Sequence, residues 1–299
     1  MNMIREIRKK ASILKLKILA KFYPKYLANV TYKSIFKKDI NWENPSNLIE
    51  KIYWLQLNTD TSLWTLCADK YRVRNFVKEK GCGELLNKLY GVWKNANDID
   101  FDTLPNSFVL KTNNSCGQII VVSDKSKLNI EEARKKLNNW LRVEYGYDGA
   151  QLHYTRIKPV VIAEEFLSEN NQLSPIDYKI WCFNGKAEFI LCVYDRGWSE
   201  KGSDKYSLST YDLDWNNTSS KTLNSNNAHF SGESIKKPVK LNEMINYAEK
   251  LAAGFPEVRV DFYYINNRII FGELTFTTGY GYFKEEFYEY LGTKITINK

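Results

Sequence analysis

The residues best suited to chemistry on an anion sit in the last third of the chain. Val258-Arg259-Val260-Asp261-Phe262-Tyr263-Tyr264 and Ile269-Ile270-Phe271-Gly272-Glu273-Leu274 both read as strands, with Asn266-Asn267 as the turn between them. Successive side chains of a strand alternate faces, so Arg259, Asp261 and Tyr263 share one face, and the return strand brings Glu273 beside Asp261. Two adjacent carboxylates repel unless something cationic lies between them. Mg²⁺, held by one or two carboxylates and by the phosphates of a substrate, is the usual solution. The same residues could instead form a simple surface ion pair, and the hairpin alone leaves that choice open.

Three lysines upstream sit where a fold could aim them at the same anion. Lys70 follows Asp69 at the start of a helix whose apolar face is Val73, Phe76 and Val77. Lys111 ends a strand, Ser107-Phe108-Val109-Leu110-Lys111, joined to Ile119-Ile120-Val121-Val122 by a polar loop over 113–118. Lys179 follows Asp177 in the strand Tyr178-Lys179-Ile180-Trp181-Cys182-Phe183, which meets residues 187–194 across Asn184-Gly185, the strongest short hairpin signal. A further strand, 160–163, ends at Glu164-Glu165. Helices are expected near 49–55, 130–143 and 241–254. Residues 196–236, rich in Ser and Asn, read as a polar irregular insertion. The pattern is α+β, with antiparallel hairpins between helices.

The whole chain has 299 residues, of which 43% are hydrophobic and 26% charged, so a disordered chain is excluded. No run of about 18 apolar residues exists to cross a membrane. Two histidines and five cysteines without a Cys-x-x-Cys pair argue against a zinc enzyme, and the odd cysteine count fits a reducing cytoplasm without a signal peptide. The cysteines read as core or neutral loop residues, and His153 and His229 have no partner the sequence identifies.

Charge is concentrated at one end. Residues 1–28 carry eight Lys and Arg against Glu6 alone, which is +7 of the net +8. Ile4, Ile7, Ala11, Leu14 and Ile18 recur at helical spacing among them. Such a helix either packs its apolar face on the protein or lies on an anionic membrane surface through residues 1–22. No nucleic-acid motif accompanies it, and nucleic acid is not an expected partner.

These residues, taken in order, resemble the ATP-grasp superfamily. In that family a late strand carries Arg-x-Asp and the next carries Glu-x-Asn; here stand Arg259-Val260-Asp261 and Glu273-Leu274-Thr275. The resemblance implies that Asp261, Glu273 and Thr275 hold Mg²⁺, two ions in the family, with the Thr275 hydroxyl reaching metal directly or through water. Asp69-Lys70 is similar to the Asp-Lys motif whose lysine reaches ATP phosphates, and Lys111 to the second ATP lysine. The loop carrying Ser115 and Gly117 resembles the one that closes over the phosphates. Glu164, Glu165 and Leu167 match the adenine-binding hinge. Asp177 and Lys179 match an acid that binds ribose and a cation that faces phosphate. Arg72 and Arg74 read as surface charges as readily as site residues.

More narrowly, Glu50-Lys51-Ile52-Tyr53-Trp54-Leu55, Asp177-Tyr178-Lys179-Ile180-Trp181-Cys182-Phe183-Asn184-Gly185-Lys186 and Phe271-Gly272-Glu273-Leu274-Thr275-Phe276-Thr277 resemble the TupA-like branch, associated with teichuronopeptide and capsular polysaccharide synthesis. In this branch Thr after Glu-Leu is normal. The resemblance implies an ATP-grasp fold, two α+β subdomains gripping ATP between antiparallel sheets. The implied organisation is a helical N-terminal region (1–64), an N-terminal subdomain (65–165) and a C-terminal subdomain (166–299) carrying the 196–236 insertion.

The activity implied is that of a carboxylate–amine ligase working through an acylphosphate, with Arg259 and Lys179 as catalytic residues and ATP and Mg²⁺ as cofactors. Its partners would be a uronic-acid-containing glycan and an amino acid or other amine. It would be cytoplasmic, or peripheral on the inner membrane face. A sugar kinase and a non-catalytic scaffold of glycan assembly are the alternatives. A glycosyltransferase is weaker, since Asp212-Leu213-Asp214 lies in the polar insertion.

Overall fold

A computed structural model describes residues 2–168, 175–199, 202–278 and 280–297, with side chains described outside 2–11, 198–199 and 202–204. Helices open the chain: α1 (Asn2–Phe22), α2 (Pro24–Phe36), α3 (Leu48–Asn58), α4 (Ser62–Ala68) and α5 (Val73–Glu79). Pro24 suits the first turn of α2, where no N–H is needed. A capping box starts α3: the Asn47 side chain accepts from Ile49 and Glu50 N–H, and Glu50 reaches back to the Asn47 N–H.

Two antiparallel sheets follow. The first contains β1 (Leu89–Trp93), β2 (Phe108–Thr112), β3 (Ile119–Val122) and β4 (Val161–Glu164), in the order β1-β4-β2-β3, with α6 (Ile130–Trp140) between β3 and β4 in sequence. The second contains β5 (Asp177–Phe183), β6 (Lys186–Ser199), β7 (Gly202–Tyr211), β8 (Glu257–Ile265) and β9 (Arg268–Thr275), in the order β7-β6-β5-β8-β9. The short α7 (Ser219–Thr222) and then α8 (Leu241–Ala252) separate β7 from β8, and α9 (Glu285–Thr293) closes the described chain. Asn184-Gly185 and Asn266-Asn267 both have two successive positive φ angles, 49° and 76°, then 48° and 62°, as two-residue hairpins require.

The strand expected over 160–163 acquires a partner the sequence did not suggest. Leu89–Trp93 pairs with β4, and a bulge between Leu89 and Gly91 breaks the alternation that would mark it as a strand. The irregular segment expected over 196–236 is corrected more substantially, because residues 202–211 form a ten-residue edge strand on β6. Its serines and threonines are compatible with burial because they are hydrogen-bonded internally. Ser209 Oγ donates to Glu233 O at 2.7 Å, and the Thr210 and Thr222 hydroxyls pair at 2.5 Å.

The two sheets have separate hydrophobic cores. Phe108, Leu110, Val161, Ala163 and Leu137 anchor the smaller one. The larger core joins α2–α5 to the five-stranded sheet: Tyr32, Tyr53 and Val77 pack in one cluster with Ile180, Val260, Phe262, Met244 and Leu291. One glycine permits this union. A Cβ on Gly292 of α9 would lie 2.0 Å from the Ser46 carbonyl oxygen at the start of α3.

His153 is fully buried in this larger body, edge-on to Trp64 at 5.7 Å, with Nδ1 3.4 Å from Gln56 Oε1 and Nε2 unpartnered. Burial, with Arg156 adding to it, pushes its pKa down to about 3. The native state therefore stays unprotonated where an unfolded histidine takes up a proton, and stability falls as pH drops from about 6.5 towards 3 by about 1.4 kcal/mol per unit. Replacing His153→Gln should make the urea-unfolding free energy less pH-dependent, removing about 2 kcal/mol of the loss between pH 7 and pH 5. An unchanged slope would show that His153 is not neutral in the fold.

Candidate active site

The site is a grid written on one face of β5, β8 and β9. In one row Lys179 pairs with Asp261 and Asp261 with Glu273; in the next, Trp181 pairs with Arg259 and Arg259 with Thr275. Asp177 stands opposite Tyr263 in the row before. The other face of β8 is apolar, with Val258, Val260 and Phe262 completely buried. A one-residue slip would exchange the two faces, so the core fixes the polar grid. A bulge then adjusts it. Register shifts after Asp261, and a Cβ on Gly272 would lie 3.0 Å from the Asp261 carbonyl oxygen. The bulge at Gly272 sets Glu273 opposite Asp261 while Phe271 remains opposite Phe262.

Charges alternate across this grid. Arg196 Nη2 donates to Asp177 Oδ2 at 2.6 Å, and Lys179 lies 3.1 Å from the same oxygen while also binding Asp261. Arg259 grips Asp261 with Nε at 2.7 Å and Nη2 at 2.8 Å. Its Nη2 also reaches Thr275 Oγ1 at 3.0 Å and Glu273 Oε1 at 3.3 Å, with the guanidinium over the Trp181 ring. Lys70 ends the chain, 3.5 Å from Glu273 Oε2. Burial pushes the Glu273 carboxyl up, but Lys70, Lys179 and Arg259 together with the Thr275 hydroxyl bring it down to about 2. Burial disfavours the Lys179 cation, yet Asp177 and Asp261 outweigh it and raise its pKa. Arg259 is raised for the same reason, with Asp261 the main opposing partner to burial.

Elements outside this sheet complete a cleft of about 620 Å³. Lys70 sits in the turn before α5, and Asp69 holds that turn: its Oδ1 accepts from Tyr71 N, Arg72 N and Asn113 Nδ2 at 2.8–3.1 Å. The turn is thereby tied to the 113–118 loop, where Lys70 Nζ donates to the Ser115 carbonyl at 2.8 Å. Ser115 Oγ bonds Thr112 and Gln118, and Gly117 turns the loop with φ +73°. Lys111 of β2 and Arg74 of α5 both pair with the buried Glu164 of β4. Glu165 is anchored by a backbone bond to Lys88 O at 2.9 Å, with Leu167 beyond it on the cleft wall.

All thirteen residues expected from the sequence line this one cleft: Lys70, Lys111, Ser115, Gly117, Glu164, Glu165, Leu167, Asp177, Lys179, Arg259, Asp261, Glu273 and Thr275. Two further charged residues line it that the sequence did not assign to the site. Arg74, read as readily as a surface charge, has a side chain only 13% exposed and binds Glu164 and Asn87. Arg196 lay in the segment expected to be irregular, and only the pairing of β6 with β5 carries it to Asp177. The cleft therefore contains six cationic side chains against five acidic ones.

The donor chemistry fits a hard divalent cation. Glu273 is 35% exposed, held only at 3.3 and 3.5 Å by its cations, and has the Thr275 hydroxyl at 3.2 Å. Asp261 stands beside it in register. Among the described residues no three His, Cys, Asp or Glu side chains converge into a closed metal cage. Glu273, open to the cleft, and Asp261, buried beside it on Arg259 and Lys179, form a carboxylate pair that suits Mg²⁺ shared with phosphates once Lys179 turns away.

A family model of TupA-like ATP-grasp proteins matches residues 50–296. The chain belongs to the TupA-like ATP-grasp family. The fold is that of ATP-grasp proteins, and its similarity to solved structures is distant. A D-alanine–D-alanine ligase from Bacillus anthracis, complexed with ATP, is 15% identical with TM-score 0.43, over 72% of this chain and 56% of that one. A phosphoribosylamine–glycine ligase from Thermotoga maritima is 12% identical with TM-score 0.43, over 71% and 48%. The ATP-grasp ligase PsnB, complexed with its minimal precursor, Mg and ADP, is 9% identical with TM-score 0.39, over 78% and 58%. This chain thus spans about half to three-fifths of the length of these structures. None of the curated proteins matches it in sequence.

In this TupA-like chain the 113–118 loop can be interrogated chemically. Four of the five cysteines are buried and Cys116, on that loop, is exposed and lines the cleft. Burial raises the Cys67 thiol to about 12 and pushes Cys182 and Cys192 up as well, which suppresses their thiolates. A maleimide should therefore label one thiol in the native protein, and Cys116→Ser should abolish that labelling. Mg-ATP should slow it at least tenfold. Labelling that nucleotide does not slow would show that the loop does not close over phosphates.

Proposed function

We propose that this chain is an ATP-dependent carboxylate–amine ligase that joins an amino acid or other amine to a uronic acid of a cell-surface polysaccharide or its precursor. The observation that carries the reading is the row Lys179–Asp261–Glu273 with Arg259 and Thr275 beside it, facing Lys70 and Lys111 across one cleft. A carboxylate is a poor electrophile because its oxygen cannot leave. Attack of a carboxylate oxygen on the γ-phosphorus of ATP breaks the bond to the β-phosphate oxygen, giving an acylphosphate and ADP. The amine nitrogen then attacks the acyl carbon, phosphate leaves with the bonding pair, and the nitrogen loses a proton. No protein nucleophile is needed, and the protein acts by positioning and charge stabilisation.

The residues divide that work by position. Lys70, Lys111 and Lys179 bind the triphosphate, with the Ser115–Gly117 segment over it. Glu164, Glu165 and Leu167 hold the adenine end, and Asp177 the ribose. Asp261, Glu273 and Thr275 would hold Mg²⁺, which when bound neutralises phosphate charge. Arg259, kept rigid by two bonds to Asp261 and by Trp181, is placed to stabilise the oxyanion formed at the acyl carbon. Tyr145, Tyr154, Tyr206 and Tyr282 line the same cleft, offering flat faces and hydroxyls of the kind that accept sugar rings.

Purified protein with Mg-ATP, uronic acids and a panel of amino acids should release ADP and free phosphate in equal amounts only when both a carboxylate and an amine are present. Asp261→Asn and Glu273→Gln should each lower kcat/KM by roughly 10²–10³. Thr275→Val, which removes the hydroxyl's two hydrogen bonds, to Arg259 and Glu273, at about 1 kcal/mol each, should cost roughly thirtyfold. ADP formed with phosphate retained on the acceptor would identify a kinase instead.

A further inference from the structure

An apolar ridge on the first two helices is independent of the cleft. Leu14, Ile18 and Phe22 on α1, then Tyr23, Tyr26 and Val30 at and within the start of α2, are 46–63% exposed. The same helices are docked from their other side: Leu16, Leu19 and Ala20 of α1 lie against the large core, and Leu27, Ala28 and Tyr32 of α2 are buried in it. At about 100° per residue, Leu14, Ile18 and Phe22 span roughly 80° of the helix surface, with Lys15 and Lys21 about 20° beyond its two edges. The packed residues Leu16, Leu19 and Ala20 occupy the opposite side.

The charge around the ridge is of one sign. Residues 12–38 contain seven lysines and no acid. Lys17, Lys33 and Lys38 are paired with Glu144, Asp39 and Glu285. Lys15, Lys21, Lys25 and Lys37 are exposed and form no ion pair with any described carboxylate. Large apolar side chains flanked by unpaired lysines, with tyrosines at the margin, match the composition of a helix lying in a bilayer interface. No helix is long and apolar enough to cross one.

We propose that the α1–α2 ridge seats the protein on an anionic lipid surface, with Leu14, Ile18, Phe22, Tyr26 and Val30 entering the interface and Lys15, Lys21 and Lys25 meeting the headgroups. A second copy of the chain is a poorer occupant, because a two-fold contact through this ridge would set lysines against lysines. A nucleic acid would satisfy the lysines and leave the apolar ridge in water. The docked inner face holds the helices against the body, so the ridge is presented without unfolding.

The test uses the full chain and vesicles of phosphatidylglycerol with phosphatidylcholine, against phosphatidylcholine alone. The protein should co-sediment with the anionic vesicles and not the zwitterionic ones, and high salt should weaken binding. Ile18→Asp/Phe22→Asp, and separately Lys15→Gln/Lys21→Gln/Lys25→Gln, should each weaken binding at least tenfold, with the melting transition and ATP turnover in solution unchanged. No sedimentation with anionic vesicles, or a variant of either set that sediments as fully as wild type, would overturn the proposal. So would a wild-type dimer that Ile18→Asp/Phe22→Asp converts to monomer without any lipid binding. The sedimentation and melting readouts do not depend on the ligase reading.

Discussion

Seven side chains of alternating charge, Arg196–Asp177–Lys179–Asp261–Arg259–Glu273–Lys70, run across the floor of the cleft, and most of the architecture serves to hold them in sequence. Asp261 is 2% exposed at its side chain and Lys179 11%. Removing one partner from such a pair typically costs about 3–5 kcal/mol, because a buried charge is left alone. The chain therefore tolerates no gap and no slip of register. The Gly272 bulge, the apolar reverse face of β8 and the Asp69 tether of the Lys70 turn are three separate devices that meet this one demand. Each acts on the backbone, and each leaves the charged ends free to face the cleft.

The arrangement is also unfinished in a useful way. Carboxylates and cations satisfy one another here, with one cationic side chain in excess across the cleft. Binding a triphosphate and a divalent cation adds charges of both signs at once. Lys179, which now joins Asp177 and Asp261, and Lys70, which reaches Glu273 only at 3.5 Å, are the groups best placed to change partner. Ion pairs that exchange partners cost less than charges exposed afresh, since each ion keeps a counter-ion throughout. Arg259 differs, because two bonds to Asp261 and the Trp181 ring beneath it fix its orientation.

Much of this was legible in the sequence because the decisive elements are local. The hairpins turning at Asn184-Gly185 and Asn266-Asn267 have short loops with strong turn residues, so alternation alone placed Lys179 and Asp261 on a face and Glu273 near Asp261. What was not legible depended on pairing between distant segments. Arg74 looked like one of several charges at a helix start until β4 brought Glu164 to it. Residues 202–211 looked irregular because serine and threonine mask a strand's alternation when their hydroxyls are satisfied by a neighbouring segment, here Glu233 and Thr222. Arg196 was missed because register shifts on either side of Gly197 break the alternation at the end of β6. At the N-terminus the periodicity left packing and membrane contact as rivals, whereas in the structure one face of α1 packs and the opposite face is exposed.

The most direct test of the account is a crystal structure with a non-hydrolysable ATP analogue and Mg²⁺. The account predicts a triphosphate among Lys70, Lys111 and Lys179, metal on Glu273 and Asp261, and Lys179 turned from Asp261 towards phosphate. A nucleotide bound outside this cleft would contradict it, as would metal that avoids both carboxylates while Lys179 stays on Asp261.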